Sequence, residues 1–261
     1  MSVLAHQRNG QGQPLVVVHG LFGSASNWRN VALKLEDDFA VWGVDLRNHG
    51  NSFHRQGMSY AQQADDLLRW LDNVGLDKVS LLGHSMGGKV VMEFALRYPS
   101  RVEKLIVVDI APIQYTPSHN EIIASLIELK AQEPWHDRRQ ADQLLTDFLG
   151  EEAIQTRLFL LTNLRRTEDG LRLRVGIKEI AEDYAAILDA PAAVAEGKTF
   201  AGPSLAIRGT QSDYVPDSSL PVFKQFFPAI TQVDLDGGHW LHAEQAEAFI
   251  AAVSDFLKQA S

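Results

Sequence analysis

The stretch that most constrains the fold is Val79-Ser80-Leu81-Leu82-Gly83-His84-Ser85-Met86-Gly87-Gly88-Lys89-Val90-Val91. An apolar run of strand character ends abruptly in Gly83-His84-Ser85-Met86-Gly87, and a helical pattern follows at once. A bare G-x-S-x-G is a weak signal, because glycine and serine are common. Its context raises it: a strand before, a helix after, and small residues around the serine. Such a turn holds the serine in a strained conformation at the top of a parallel sheet, so the positions two away on each side must not carry bulk. The helix N-terminus beneath it offers unpaired N–H groups where an oxyanion would form. An ordinary glycine-rich strand-to-helix bend is the alternative; the context favours a nucleophile at Ser85.

The length of 261 residues permits one large α/β domain or two small ones. The balance of hydrophobic and charged residues is that of a soluble globular protein. A formal net charge of -9, with no basic run to offset it, argues against nucleic acid as a partner. The chain contains no cysteine, which excludes disulfides, thiol catalysis and thiolate metal sites and leaves the compartment open. Met1 to Gly10 lacks the apolar core of a signal peptide, and no stretch approaches a transmembrane helix. The expectation is a cytoplasmic protein with no membrane partner.

Around the central strand the chain alternates strands and helices. Buried parallel strands are expected at Leu15–Gly20, Phe39–Leu46, Val79 onward, Leu105–Ile110, Ser204–Gly209 and Thr231–Asp236. Helices are expected at Asn27–Leu35, Tyr60–Val74 (closed by Gly75), Met86–Tyr98 (stopped by Pro99), Leu220–Phe227 and Glu244–Leu257. This rhythm predicts an α/β fold with a mostly parallel, doubly wound sheet. Between Ile113 and Phe200 it breaks, leaving only helical patterns, among them Ile122 to Leu129, Leu144 to Leu149, Ile154 to Leu161 and Ile177 to Leu188. The expected organisation is a core of residues 1–112 and 201–261 with a helical cap insertion at 113–200.

Open parallel sheets bind ligands beyond the carboxyl ends of their strands. Ser85, Asp109, Asp213 and His239 all fall just past expected strand ends, in the order Ser…Asp…His. His239, in Asp236-Gly237-Gly238-His239-Trp240-Leu241-His242, is the expected general base, since a serine hydroxyl is a weak nucleophile without one. His242 competes but is read as supporting the loop, and His84 and His19 as packing and loop groups. Asp213 follows the penultimate strand and Asp109 the strand next to the serine's; either could orient His239. Asp45 is read as structural. The oxyanion hole should combine the Met86 N–H with that of Leu21, Phe22 being the reserve. Phe22, Tyr115, Tyr214 and Trp240 are candidate substrate-binding residues, with Trp135 and Phe159 as further candidates from the cap; core packing is the alternative for each.

These residues together resemble the α/β-hydrolase superfamily over nearly the whole chain. His19-Gly20-Leu21-Phe22-Gly23-Ser24, Asp45-Leu46-Arg47-Asn48-His49-Gly50, Gly83-His84-Ser85-Met86-Gly87-Gly88-Lys89, Asp109-Ile110-Ala111-Pro112 and Gly238-His239-Trp240 carry the resemblance, which is to the YbfF-like bacterial esterases in particular. It implies carboxylesterase activity on short or medium acyl esters under a helical cap, with no metal or organic cofactor. It also implies Asp109 as the acid, although this sequence holds an aspartate at both places. The expected partner is a small-molecule ester, and the expected state a monomer or weak homo-oligomer. Other enzymes of the fold (thioesterases, C–C bond hydrolases, perhydrolases, lyases) and a non-catalytic ligand-binding protein are the alternatives.

Overall fold

The computed structural model describes residues 3–259, so the reading of Met1 and Ser2 lies outside it. Among the described residues are strands β1 (His6–Asn9), β2 (Gln13–Val18), β3 (Phe39–Val44), β4 (Val79–His84), β5 (Val102–Val108), β6 (Leu164–Thr167), β7 (Gly170–Leu173), β8 (Ser204–Gly209) and β9 (Ile230–Leu235). Seven of them form one sheet in the order β1-β3-β2-β4-β5-β8-β9, and β6 and β7 form a separate hairpin. Within the large sheet β1 is antiparallel to β3 and every other neighbour pair is parallel.

The helices flanking the first half are α1 (Arg29–Leu35), α2 (Tyr60–Val74) and α3 (Met86–Arg97). Because successive strand side chains alternate between faces, the continuous apolar runs feed two cores. Val16, Val18, Leu81, Leu105 and Val107 pack with Leu67 and Trp70 of α2 and with Val90 and Phe94 of α3. Leu15, Val17, Leu82, Ile106 and Val108 pack on the other face with Val31 of α1 and with Phe249 and Val253 near the C-terminus. Burying each such side chain contributes roughly 1.5–3 kcal/mol. The ends of α2 show how local sequence sets a boundary. The Ser59 side chain accepts the Gln62 N–H, and Gly75 closes the helix at φ 73°.

Between β5 and β8 the chain forms α4 (Asn120–Ala131), α5 (Arg138–Leu149), α6 (Ile154–Leu161), the β6–β7 hairpin, α7 (Ile177–Glu182), α8 (Tyr184–Leu188) and α9 (Ala192–Ala195). After β8 come α10 (Leu220–Phe226), α11 (Leu241–Glu244) and α12 (Ala246–Lys258). Four features depart from expectation. The polar strand β1 has mostly exposed side chains and no apolar run to announce it. The expected all-helical insertion contains the β6–β7 hairpin, whose Glu168-Asp169-Gly170 turn is a hairpin signal. The Ile177–Leu188 pattern is two helices divided at Asp183, and a short helix, α11, precedes the expected terminal helix. No helix among the described residues is long and apolar enough to cross a membrane.

Candidate active site

Ser85 sits between β4 and α3 at φ 54° and ψ -123°, a region that side-chain-bearing residues rarely occupy. Two close approaches explain its glycine neighbours. A Cβ at Gly83 would run into the Gly87 carbonyl, and one at Gly87 into the Val18 and His19 carbonyls. The Ser85 N–H donates to the Val108 carbonyl at 3.0 Å, tying the turn to β5. Asp109, the first residue after that strand, also has a positive φ, 47°, and is fully buried.

His239 Nδ1–H donates to Asp109 Oδ2 at 2.7 Å. Two further groups hold the carboxylate: the Gly209 N–H donates to Oδ1 at 3.0 Å and the Ser212 hydroxyl donates to Oδ2 at 2.5 Å. Asp213 is exposed and makes no hydrogen bond with His239. The Tyr214 ring stacks on the His239 imidazole, centroids 4.1 Å apart and planes 24° apart. His84 Nε2–H donates to the His239 carbonyl at 2.8 Å. Burial, reinforced by His239 and His242, holds His84 well below the ordinary histidine value, so it donates as a neutral ring. His242 lies flat on Trp28 at 4.3 Å, its pKa lowered to about 4 by burial and the nearby His239.

The loop after β2 is held from several sides. The Phe22 N–H donates to His49 Nε2 at 3.1 Å, while His49 Nδ1–H donates to the Arg47 carbonyl at 2.8 Å. His19 repeats the arrangement, accepting the Leu46 N–H at 3.0 Å and donating to the Gly20 carbonyl at 2.8 Å. Burial lowers the pKa of His19 to about 4 and that of His49 to about 3, the latter with help from His19; each therefore keeps one acceptor nitrogen. The Phe22 carbonyl takes a hydrogen bond from Asn163 Nδ2 of the insertion at 2.8 Å. With its N–H committed to His49, Phe22 is removed from the oxyanion candidates. The Leu21 and Met86 N–H groups donate to no other group among the described residues. Asp45 accepts the Ala25 and Asn51 N–H groups at 2.7 and 2.8 Å and so shapes the neighbouring loops.

Ser85, His239, Leu21 and Phe22 line one cavity of about 980 Å³, together with Phe159, Tyr214 and Trp240. Ser85 also lines an adjoining small chamber of about 40 Å³, where Met86 and Tyr115 lie. Trp135 reaches neither space: it is buried within the insertion, its Nε1–H on the Leu129 carbonyl at 2.8 Å. The core-packing alternative holds for that residue.

The alpha/beta hydrolase fold family matches residues 13–246 of the chain. The chain belongs to the α/β-hydrolase family. Among solved structures, this α/β hydrolase is similar to a marine microorganism esterase at TM-score 0.90 and 36% identity, covering 98% of this chain and 100% of that one. It is 33% identical over 252 residues to the esterase YbfF of Escherichia coli, covering 96% of this chain and 95% of the relative. It is 36% identical over 251 residues to the mouse sn-1-specific diacylglycerol lipase ABHD11, covering 93% of this chain and 80% of that protein. The chain is accordingly an esterase/lipase-type α/β hydrolase. Several of this hydrolase's site residues escape sequence reasoning. Ser212 and Gly209 are met only where β8 ends beside β5, and Asn163 carries no periodic signal of its own. His49 stands within the Asp45-Leu46-Arg47-Asn48-His49-Gly50 stretch, but only the fold brings it to Phe22.

Proposed function

We propose that the protein is a serine carboxylesterase acting through Ser85, His239 and Asp109. The observation that carries this reading is the His239–Asp109 hydrogen bond of 2.7 Å at the edge of a cavity that Ser85 also lines. The Ser85 hydroxyl makes no hydrogen bond among the described residues, and the bond to His239 Nε2 closes when substrate is bound. His239 then takes the Ser85 proton as Oγ attacks the ester carbonyl, and Asp109 fixes the tautomer and stabilises the imidazolium. The oxyanion settles on the Leu21 and Met86 N–H groups. His239 returns the proton to the departing alkoxide, so the alcohol leaves neutral. Water, deprotonated by the same imidazole, then cleaves the acyl-serine and releases the carboxylic acid. The segment between β5 and β8 acts as the cap, contributing Phe159 and its neighbours to the substrate cavity.

Hydrolysis of p-nitrophenyl esters from acetate to palmitate, with Ser85→Ala alongside, tests the reading. The expected result is turnover that the variant loses by several orders of magnitude, on the scale of triad removals. Retention of most activity by the variant would sink it. Serine-dependent turnover of thioesters but not of oxygen esters would move the assignment to the thioesterase alternative.

A further inference from the structure

Ser85 lines two adjoining spaces of very different size. One is the large cavity of about 980 Å³, which His239 lines. The other is a chamber of about 40 Å³ that shares Leu21, Ser85, Ser118, His119 and Tyr214 with it and is lined beyond them by Met86, Lys89, Ile110 and Ile187 but not by His239. A water-sized group needs roughly 10–15 Å³ on this measure, so the chamber admits about three. Its outer wall is fixed. The Tyr60 hydroxyl donates to the Ile187 carbonyl at 2.5 Å, and Lys89 Nζ donates to the Leu188 and Asp189 carbonyls at 3.1 and 2.6 Å. The Tyr115 N–H also donates to the Leu188 carbonyl, at 2.9 Å.

The chemistry of the proposed reaction assigns the two spaces. At the tetrahedral carbon one substituent is Ser85 Oγ and another is the oxyanion, which faces the Leu21 and Met86 N–H groups. The leaving alkoxide must face His239 to receive its proton, which places the alcohol in the large cavity. The remaining substituent, the acyl group, points away from His239. We infer that the small chamber is the acyl site, and that the enzyme takes short-acyl esters, up to about butyryl, of long or bulky alcohols. Esters of long-chain acids place their long chain on the closed side and are poor substrates. This rests on the serine-esterase reading and adds to it which side of the ester is selected.

Octyl acetate and methyl nonanoate are isomers that differ in the side of the ester carrying the long chain. We expect kcat/KM for octyl acetate to exceed that for methyl nonanoate by at least tenfold, with both activities lost in Ser85→Ala. Equal values, or a preference for methyl nonanoate, would overturn the assignment while leaving the esterase reading intact. Failure of both esters and of p-nitrophenyl acetate to show serine-dependent turnover would overturn the reading and the assignment together. Ile187→Ala, which enlarges the chamber and keeps the carbonyl that Tyr60 holds, should raise the hexanoate-to-butyrate ratio of kcat/KM severalfold. Being a ratio within one protein, it is insensitive to partial loss of folded enzyme, and an unchanged ratio would count against the chamber as acyl site.

Discussion

At the scale of residues, four side-chain-bearing positions among the described residues have positive φ: Phe22, Asn48, Ser85 and Asp109, at 60°, 63°, 54° and 47°. All lie in the loops around the site, where strain of order 1–3 kcal/mol each is sustained by the surrounding hydrogen bonds. The two aspartates that sequence leaves in competition differ in kind. Asp109 is buried on three donors, whereas Asp213 is exposed. Asp109→Asn should therefore lower kcat by roughly 10³–10⁴, the scale of removing a triad carboxylate, while Asp213→Asn stays within about twofold of the parent. Steady-state kinetics on p-nitrophenyl acetate decide it, and the reverse pattern would hand the role to Asp213. That Ser85 and His239 would line one cavity was legible because the motif and the strand ends place both at the same end of the sheet. Sequence left the acid open because both candidates follow strand ends, and spacing does not say which carboxylate is buried.

At the scale of elements, the loop after β2 is positioned by two other parts of the chain. His49 holds the Phe22 N–H, and Asn163 reaches from the insertion to the Phe22 carbonyl. Asn163→Ala leaves that buried carbonyl without its donor, which costs about 1–3 kcal/mol in stability. With the oxyanion loop loosened, kcat on acetate should fall about tenfold with KM little changed. Thermal melts and steady-state kinetics check both, and an unaltered kcat would show that the insertion does not position the loop. Most elements were legible because buried parallel strands are unbroken apolar runs and α2 carries its own caps. Strand β1 was not, because an edge strand paired on one side needs no apolar pattern. The β6–β7 hairpin hid in Leu164-Arg165-Arg166-Thr167 and Leu171-Arg172-Leu173, where alternation is short and arginines carry the exposed face.

At the scale of the whole molecule, burial makes the histidines a source of acid lability. His19 and His49 have folded-state pKa values of about 4 and about 3, below the 6.5 of an unfolded histidine. As pH falls below 6.5 the unfolded chain takes up protons that the folded chain refuses, so stability drops. The contribution is complete above about pH 6.5 and is lost as pH falls through the folded values. At roughly 1.4 kcal/mol per unit, His19 alone accounts for about 3 kcal/mol. The melting temperature should decline steadily from about pH 6.5 to about pH 4, and His19→Gln should flatten part of that slope; a pH-independent Tm across this range would contradict the neutral-histidine account. Activity lost in the same interval by the parent enzyme will then include a contribution from unfolding, which melts at each pH measure.

The turn at Ser85 has a consequence for anyone who engineers this protein. Glycine occupies φ 54° and ψ -123° without the penalty that a side chain incurs, so Ser85→Gly should raise the unfolding free energy by about 1 kcal/mol. Denaturant titration of the two proteins measures that difference directly. A library sorted on heat resistance alone would therefore enrich the variant that has discarded its proposed nucleophile, and any selection for a tougher catalyst has to score turnover at every round.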